Sequence, residues 1–332
     1  MPVQAKSVDI GEVLTQKSRR KDLFSAVLPF CGLLLTVLVL SIATKGLLLS
    51  PMNLVNIINQ CFNTAIVGVG AAFVFAHGGM DFSVGASCGV AQLACIAVVT
   101  QLRLPLWVGF LAAVMVGVAC SMVVGMGSHA LHLQPFIVSL CVRSACTGIL
   151  VVGCNALGKN IRVPLDVFGI FNNNIVKTIV LVALVAFSWY LFERTSLGKE
   201  EKAIGGNRVT AVQSGILLGR NVFLSSLILG ICVGIAACFQ MSRSGTVSAS
   251  SGNGLEFNIM IALALGGFPM AGGSAARIRS MIIGVLTITF LTNGLTLVGL
   301  DSEYVSLVKG LLFVVIVAVS YDRSNLKQVN FV

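Results

Sequence analysis

Charge is scarce in this 332-residue chain: only 10% of its residues are Asp, Glu, Lys or Arg, against about a quarter in soluble globular proteins. That scarcity excludes an ordinary water-soluble enzyme. Histidine is rarer still, with three residues, so a metal or proton-transfer centre built on imidazole has little to draw on. His129 and His132 have the i, i+3 spacing of helical ligands, but no Cys or acid stands near as a third. His77, beside Gly78, reads as an interfacial residue before a proton carrier. The ten cysteines contain no CxxC pair and nearly all fall inside apolar runs, which excludes a disulfide framework and reads as reduced, small hydrophobes. A P-loop is missing as well. The nearest approach, GCNALGKN at 153–160, places Asn160 where Mg²⁺ needs Ser or Thr and follows an apolar span instead of a strand. No catalytic residue, cofactor or metal is expected.

Apolar length is what the chain has. Hydrophobic residues make up 56% and mean hydropathy is +0.97. Since ~20 apolar residues cross ~30 Å of hydrocarbon, the expected fold is an all-α polytopic membrane protein with about ten transmembrane helices. A window of roughly 19 residues places them at 24–44, 54–76, 84–101, 106–130, 134–153, 175–192, 221–241, 257–271, 280–298 and 303–320. The first run is longer than the apolar core of a secretory signal and reads as a retained span. The net charge of +10 points to cytoplasmic loops and anionic lipid, with no nucleic-acid footprint. A cytoplasmic N-terminus leaves 14 of the 22 basic residues inside and six outside, so both termini are expected in the cytoplasm. The expected organisation is a cytoplasmic segment 1–22, a membrane domain 23–321 with one long cytoplasmic loop at 193–220, and a tail 322–332.

Four local patterns carry chemistry. Within the long loop, Asn207 is a good helix N-cap and Gly215 a good C-terminal stop, which together predict a two-turn helix over 208–214. It is too short to cross a membrane; it serves either as a solvated connector or as a docking element. Asp81, among glycines at the edge of an apolar segment, has three readings: a cap where the helix restarts at Ser83, a place on a solute route, or a partner of Arg143. Asn56, Asn59, Gln60 and Asn63 share one helical face. Such a face either lines a route for hydroxylated solutes or joins helices by hydrogen bonds. Thr289, Thr292, Asn293 and Thr296 repeat the pattern and read first as packing. Finally, Gly78, Gly79 and Gly85 recur as Gly266, Gly267 and Gly273 at a constant offset, a weak sign of repeat-built halves.

Three stretches resemble the permease subunits of ABC importers for ribose, xylose, arabinose and related sugars. HGGMDFSVG at 77–85 is similar to that family's GG(I/M)DLSVG motif. LGKEEKAIGGNRVTAVQSGI at 197–216 resembles its LGxxxxAxGGNxxAAxxSGI loop, with Val212 and Gln213 departing from the pattern. LALGGFPMAGG at 263–273 and FLTNGLTLVG at 290–299 resemble its LGGxxxxGG and NGLxLxG segments. The resemblance covers most of 50–320. It implies a ten-span permease core with pseudo-repeat halves in a bacterial inner membrane, pairing with a second permease copy, identical or related. It also implies cytoplasmic ATPase subunits and an extracytoplasmic solute-binding protein. Gly205, Gly206, Asn207, Arg208, Ser214 and Gly215 would then form the ATPase-coupling loop. Asn56, Asn59, Gln60, Asn63, Asp81 and Asn293 are the candidate solute route. The competing class is a gradient-driven secondary transporter, which would need mid-membrane ionisable groups; only Asp81, Arg143 and Lys309 stand in or near spans.

Overall fold

The computed structural model describes residues 10–320; the expected tail 322–332 and the first nine residues of the expected segment 1–22 lie outside them. Thirteen helices occur among the described residues. They are α1 (Ile10–Ala43), α2 (Pro51–Ala76), α3 (Val84–Thr100), α4 (Leu106–Ala130), α5 (Pro135–Leu157), α6 (Leu165–Phe168) and α7 (Asn174–Arg194). The others are α8 (Ser196–Gly206), α9 (Arg208–Gln213), α10 (Leu218–Ser244), α11 (Leu255–Leu265), α12 (Ile278–Leu297) and α13 (Ser302–Ser320). Two short strands, β1 (Ile161–Arg162) and β2 (Thr246–Val247), pair antiparallel and tie the α5–α7 connection to the end of α10.

Among the described residues six helices, α2, α4, α5, α7, α10 and α12, are long and apolar enough to cross a membrane. The chain is a multi-pass, all-α membrane protein. Helix starts follow local chemistry: Ser50 caps α2, accepting from the Asn53 N–H with Pro51 at the first position, and Asn173 caps α7. The helix that carries the first expected span begins at Ile10, well before the span itself. One expected boundary is corrected. The eighth run, expected over 257–271, is helical only to Leu265, because Gly266 and Gly267 release the backbone and Gly267 turns to φ +73°. Eleven residues reach about 17 Å, short of a full crossing.

Burial sorts the helices into a centre and a rim. Helix α2 is buried over 83% of its apolar window and α10 over 61%, whereas α5 and α7 are each buried over 17%. Large side chains such as Leu34, Ile42, Val152, Ile175 and Leu311 therefore face outward, as lipid-facing positions do. Contact between α4 and α10 is close because both surfaces are small. A Cβ on Gly234 would stand 2.8 Å from the Ala113 carbonyl, and one on Gly117 2.9 Å from the Gly234 nitrogen. Small residues let backbones approach where apolar lipid offers no competing drive for helix association.

Candidate functional site

The loop at 193–220 contains two helices, one more than expected. Helix α8 buries Gly198, Glu201 and Ile204 on one face. Its end is set by Asn207, whose extended backbone (φ −159°) breaks the helix and whose side chain accepts from the Thr210 N–H at 3.1 Å to start α9. Helix α9 is one residue shorter than expected, because Ser214 is its C-cap. The next residue, Gly215, is left-handed at φ +84°. Its N–H bonds the Val212 carbonyl at 2.9 Å and the Ile216 N–H bonds Ala211 at 3.1 Å, the reciprocal pair of a Schellman stop. Ala211 is buried, while Arg208, Val209, Thr210 and Val212 are exposed. Helix α9 thus presents an outward face of mixed apolar and basic character.

The three glycine-containing stretches, far apart in the chain, meet at the end of α8. The Gly273 N–H donates to the Ala76 carbonyl at 2.9 Å, joining the loop before α12 to the end of α2. Gly205 of α8 is wedged into that junction: a Cβ there would lie 2.5 Å from the Gly273 nitrogen and closer still to the Ala76 oxygen. Beside it, His77 Nδ1 and Glu201 Oε2 are 2.5 Å apart. Glu201 is fully buried, and its Oε1 has no hydrogen-bond partner among the described residues. Burial pushes this carboxyl above its ordinary range, with the neighbouring imidazole opposing the shift. Further ties hold α8 in place, Lys202 to Glu193 of α7 at 2.8 Å and Asn221 of α10 to Glu200 at 2.8 Å, while Arg277 stands 3.8 Å from that same Glu193 carboxylate.

Asp81 accepts from the Ser83 N–H at 2.8 Å and the Ser83 hydroxyl at 2.6 Å, bracing the restart into α3. It does not pair with Arg143. That guanidinium sits 2.9 Å from Glu256, a buried acid in the first turn of α11. Sequence reasoning missed Glu256 because the eighth span was started one residue after it.

The amide stripe on α2 meets several environments. Asn56 is exposed. Asn59 accepts from the Lys177 ammonium at 3.0 Å, linking α2 to α7. Gln60 and Asn63 line a polar cavity of about 330 Å³ with Gln240, Arg243, Asn258 and Thr292. Asn293 accepts from the Asn53 side chain at 2.8 Å and so joins α12 to the start of α2. The Thr289, Thr292 and Thr296 hydroxyls bond their own helix. At the far end of α2 a second cavity, about 750 Å³, is lined by His77, Asp81, Ser128, His129, Arg208 and Ser226. The 14 residues from Asn63 to His77 span about 21 Å, and from Ala65 to Ala76 every one of them is buried. The candidate route residues thus divide: Gln60 and Asn63 at one cavity, Asp81 at the other, and Asn56, Asn59 and Asn293 at neither.

Residues 53–317 match the family described as branched-chain amino acid transport system / permease component. The chain is similar to the ribose import permease protein RbsC of Bacillus subtilis (strain 168), with 30% identity over 306 residues, 90% of this chain and 92% of that protein. It is also similar to the D-allose transport system permease protein AlsC of Escherichia coli (strain K12), at 29% over 281 residues, covering 83% and 84% of the two chains. The galactose/methyl galactoside import permease protein MglC of the same strain is 26% identical over 312 residues, 86% of this chain and 91% of its own.

Proposed function

The chain belongs to the family of branched-chain amino acid transport system / permease components, and from that premise we propose a sugar or similar small hydroxylated compound as its solute. It is the permease subunit of an ATP-binding cassette importer, a transport component and not an enzyme. In our reading two permease copies, identical or related, form the pathway. An extracytoplasmic binding protein delivers solute, and cytoplasmic ATPase subunits dock on α9. Ten helices, α1 to α5, α7 and α10 to α13, make up the membrane domain at 23–321. The shorter ones lie among the full spans, and the glycine-interrupted pairs belong to pseudo-repeat halves. Both termini and the 193–220 loop face the cytoplasm of a bacterial inner membrane, as the basic residues favour.

The observation that carries this reading is the convergence of the glycine segments on α8, directly behind the exposed α9. A push on α9 from an ATPase would reach the break after α2 and the loop before α12 together. At the opposite end, the amides Gln60 and Asn63 suit a hydroxylated solute, since amides both donate and accept. Reconstitution into liposomes with the ATPase and binding-protein subunits of an ABC sugar importer tests the proposal. ATP-dependent accumulation of ribose, allose or galactose is expected; uptake that needs an ion gradient and no ATPase would overturn it.

A further inference from the structure

Glu201 and His77 are the one buried acid–imidazole contact among the described residues, and neither residue belongs to the candidate solute route. The pair bridges two elements that must move relative to each other if α9 is a lever. Glu201 is the central residue of the buried face of α8, and His77 is the C-cap of α2, one residue before Gly78 turns the chain at φ +84°. The imidazole side chain is 10% exposed and also lines the larger cavity. We propose that His77 and Glu201 form a proton-dependent latch that fastens the α8–α9 unit to the break after α2. Transmission from α9 to the pathway then varies with the pH on that face. The coupling part rests on the permease reading above; the latch itself does not.

With one proton shared, the pair is neutral overall and its short contact is satisfied. Loss of that proton leaves a carboxylate in a dry site, with Oε1 unpartnered and Glu200 adding repulsion. The other charged groups nearby are committed elsewhere: Lys202 and Arg277 to Glu193, and Glu200 to Asn221. From α10, the Ser225 hydroxyl lies near the carboxyl and favours its ionised form, but less than burial opposes it. Asp81, His129, His132 and Arg208 share the cavity with His77, with Asp81 held by Ser83. The sign follows from the raised carboxyl. The latched state binds the proton more tightly than the opened state, so the latch is firm at lower pH and weakens as pH rises through the raised value.

Hydrogen–deuterium exchange of the peptide covering 196–213, in the full-length permease alone in lipid nanodiscs, reads the latch directly. After correction for intrinsic exchange, wild-type protection is expected to fall severalfold as pH rises through the raised transition of this carboxyl. Glu201→Gln keeps a neutral hydrogen-bonding side chain and is expected to flatten that dependence. His77→Gln removes the imidazole that opposes the shift, so its dependence should move to higher pH, and both variants should retain wild-type protection in α2 and α10. In reconstituted transporter, solute moved per ATP should follow the same pH profile in wild type and lose it in Glu201→Gln. Equal pH dependence of the 196–213 peptide in wild type and Glu201→Gln would overturn the latch. Failure of the wild type to associate with any ATPase would instead overturn the permease reading, since the exchange measurement needs no ATPase.

Discussion

Gly205 and Gly206 are adjacent glycines of one motif, and the structure assigns them opposite tolerance. Adding a methyl at Gly205 places carbon 2.5 Å from the Gly273 nitrogen and nearer to the Ala76 oxygen, both backbone atoms. Carbon contacts are comfortable at ~3.5 Å, so α8 has to back away by about 1 Å. The His77–Glu201 contact, now 2.5 Å, then lengthens to the limit of a hydrogen bond. Overpacking of this kind costs ~1–3 kcal/mol, while replacing Gly by Ala within a helix returns ~0.5–1 kcal/mol. The net of up to ~2.5 kcal/mol is a factor of up to roughly 60 in the fraction of properly seated α8. At Gly206 nothing lies within 4 Å, so only the small helix-propensity gain applies. Uptake and hydrolysis measured together in proteoliposomes decide between them. Gly205→Ala should lower solute moved per ATP by that factor while the ATPase still co-purifies, and Gly206→Ala should match wild type. Equal effects of the two substitutions would refute the wedge.

Three further outcomes follow from the geometry. Gly215→Val should weaken ATPase co-purification about fivefold, since a branched residue in the left-handed region costs ~1 kcal/mol; Gly215→Asn should be milder, and wild-type association in the Val variant would contradict the Schellman stop. Gln60→Leu and Asn63→Leu should reduce uptake with ATPase association intact, whereas Asn293→Leu should lower thermal stability in detergent by breaking its bond to Asn53; the reverse pattern would exchange their roles. Arg143→Met should be strongly destabilising, because stripping the partner from a buried acid costs ~3–5 kcal/mol; adding Glu256→Gln should recover most of the melting temperature, and additive losses would show that the pair is not coupled.

What could be read from sequence was whatever is local. Asn207 and Gly215 bracket α9 because capping chemistry acts within a few residues, and helices α2 to α5 start within about three residues of the expected spans. Helix α8 was not legible: its KEEK core reads as solvated charge, and only the packing of α2 and α10 against it turns Glu201 inward. The amide stripe of α2 was correctly one face by period, but period does not say what a face meets. Asn59 found Lys177 from α7 and Asn53 found Asn293 from α12, neighbours set by tertiary packing. The glycine echo marked two interruptions; that they touch through Gly273 and Ala76 is a property of the fold.

The central claim is that α9 is the surface through which an ATPase drives this permease. Val209, 66% exposed on α9, and Trp107, 64% exposed at the start of α4 on the proposed extracytoplasmic side, give the direct comparison. With a single cysteine at each position in turn, in a background whose native thiols are replaced, a short bifunctional cross-linker is applied to the assembled transporter. Val209→Cys is expected to link to the ATPase in an ATP-dependent manner and Trp107→Cys not at all. An ATPase cross-link from Trp107→Cys with none from Val209→Cys would contradict the account.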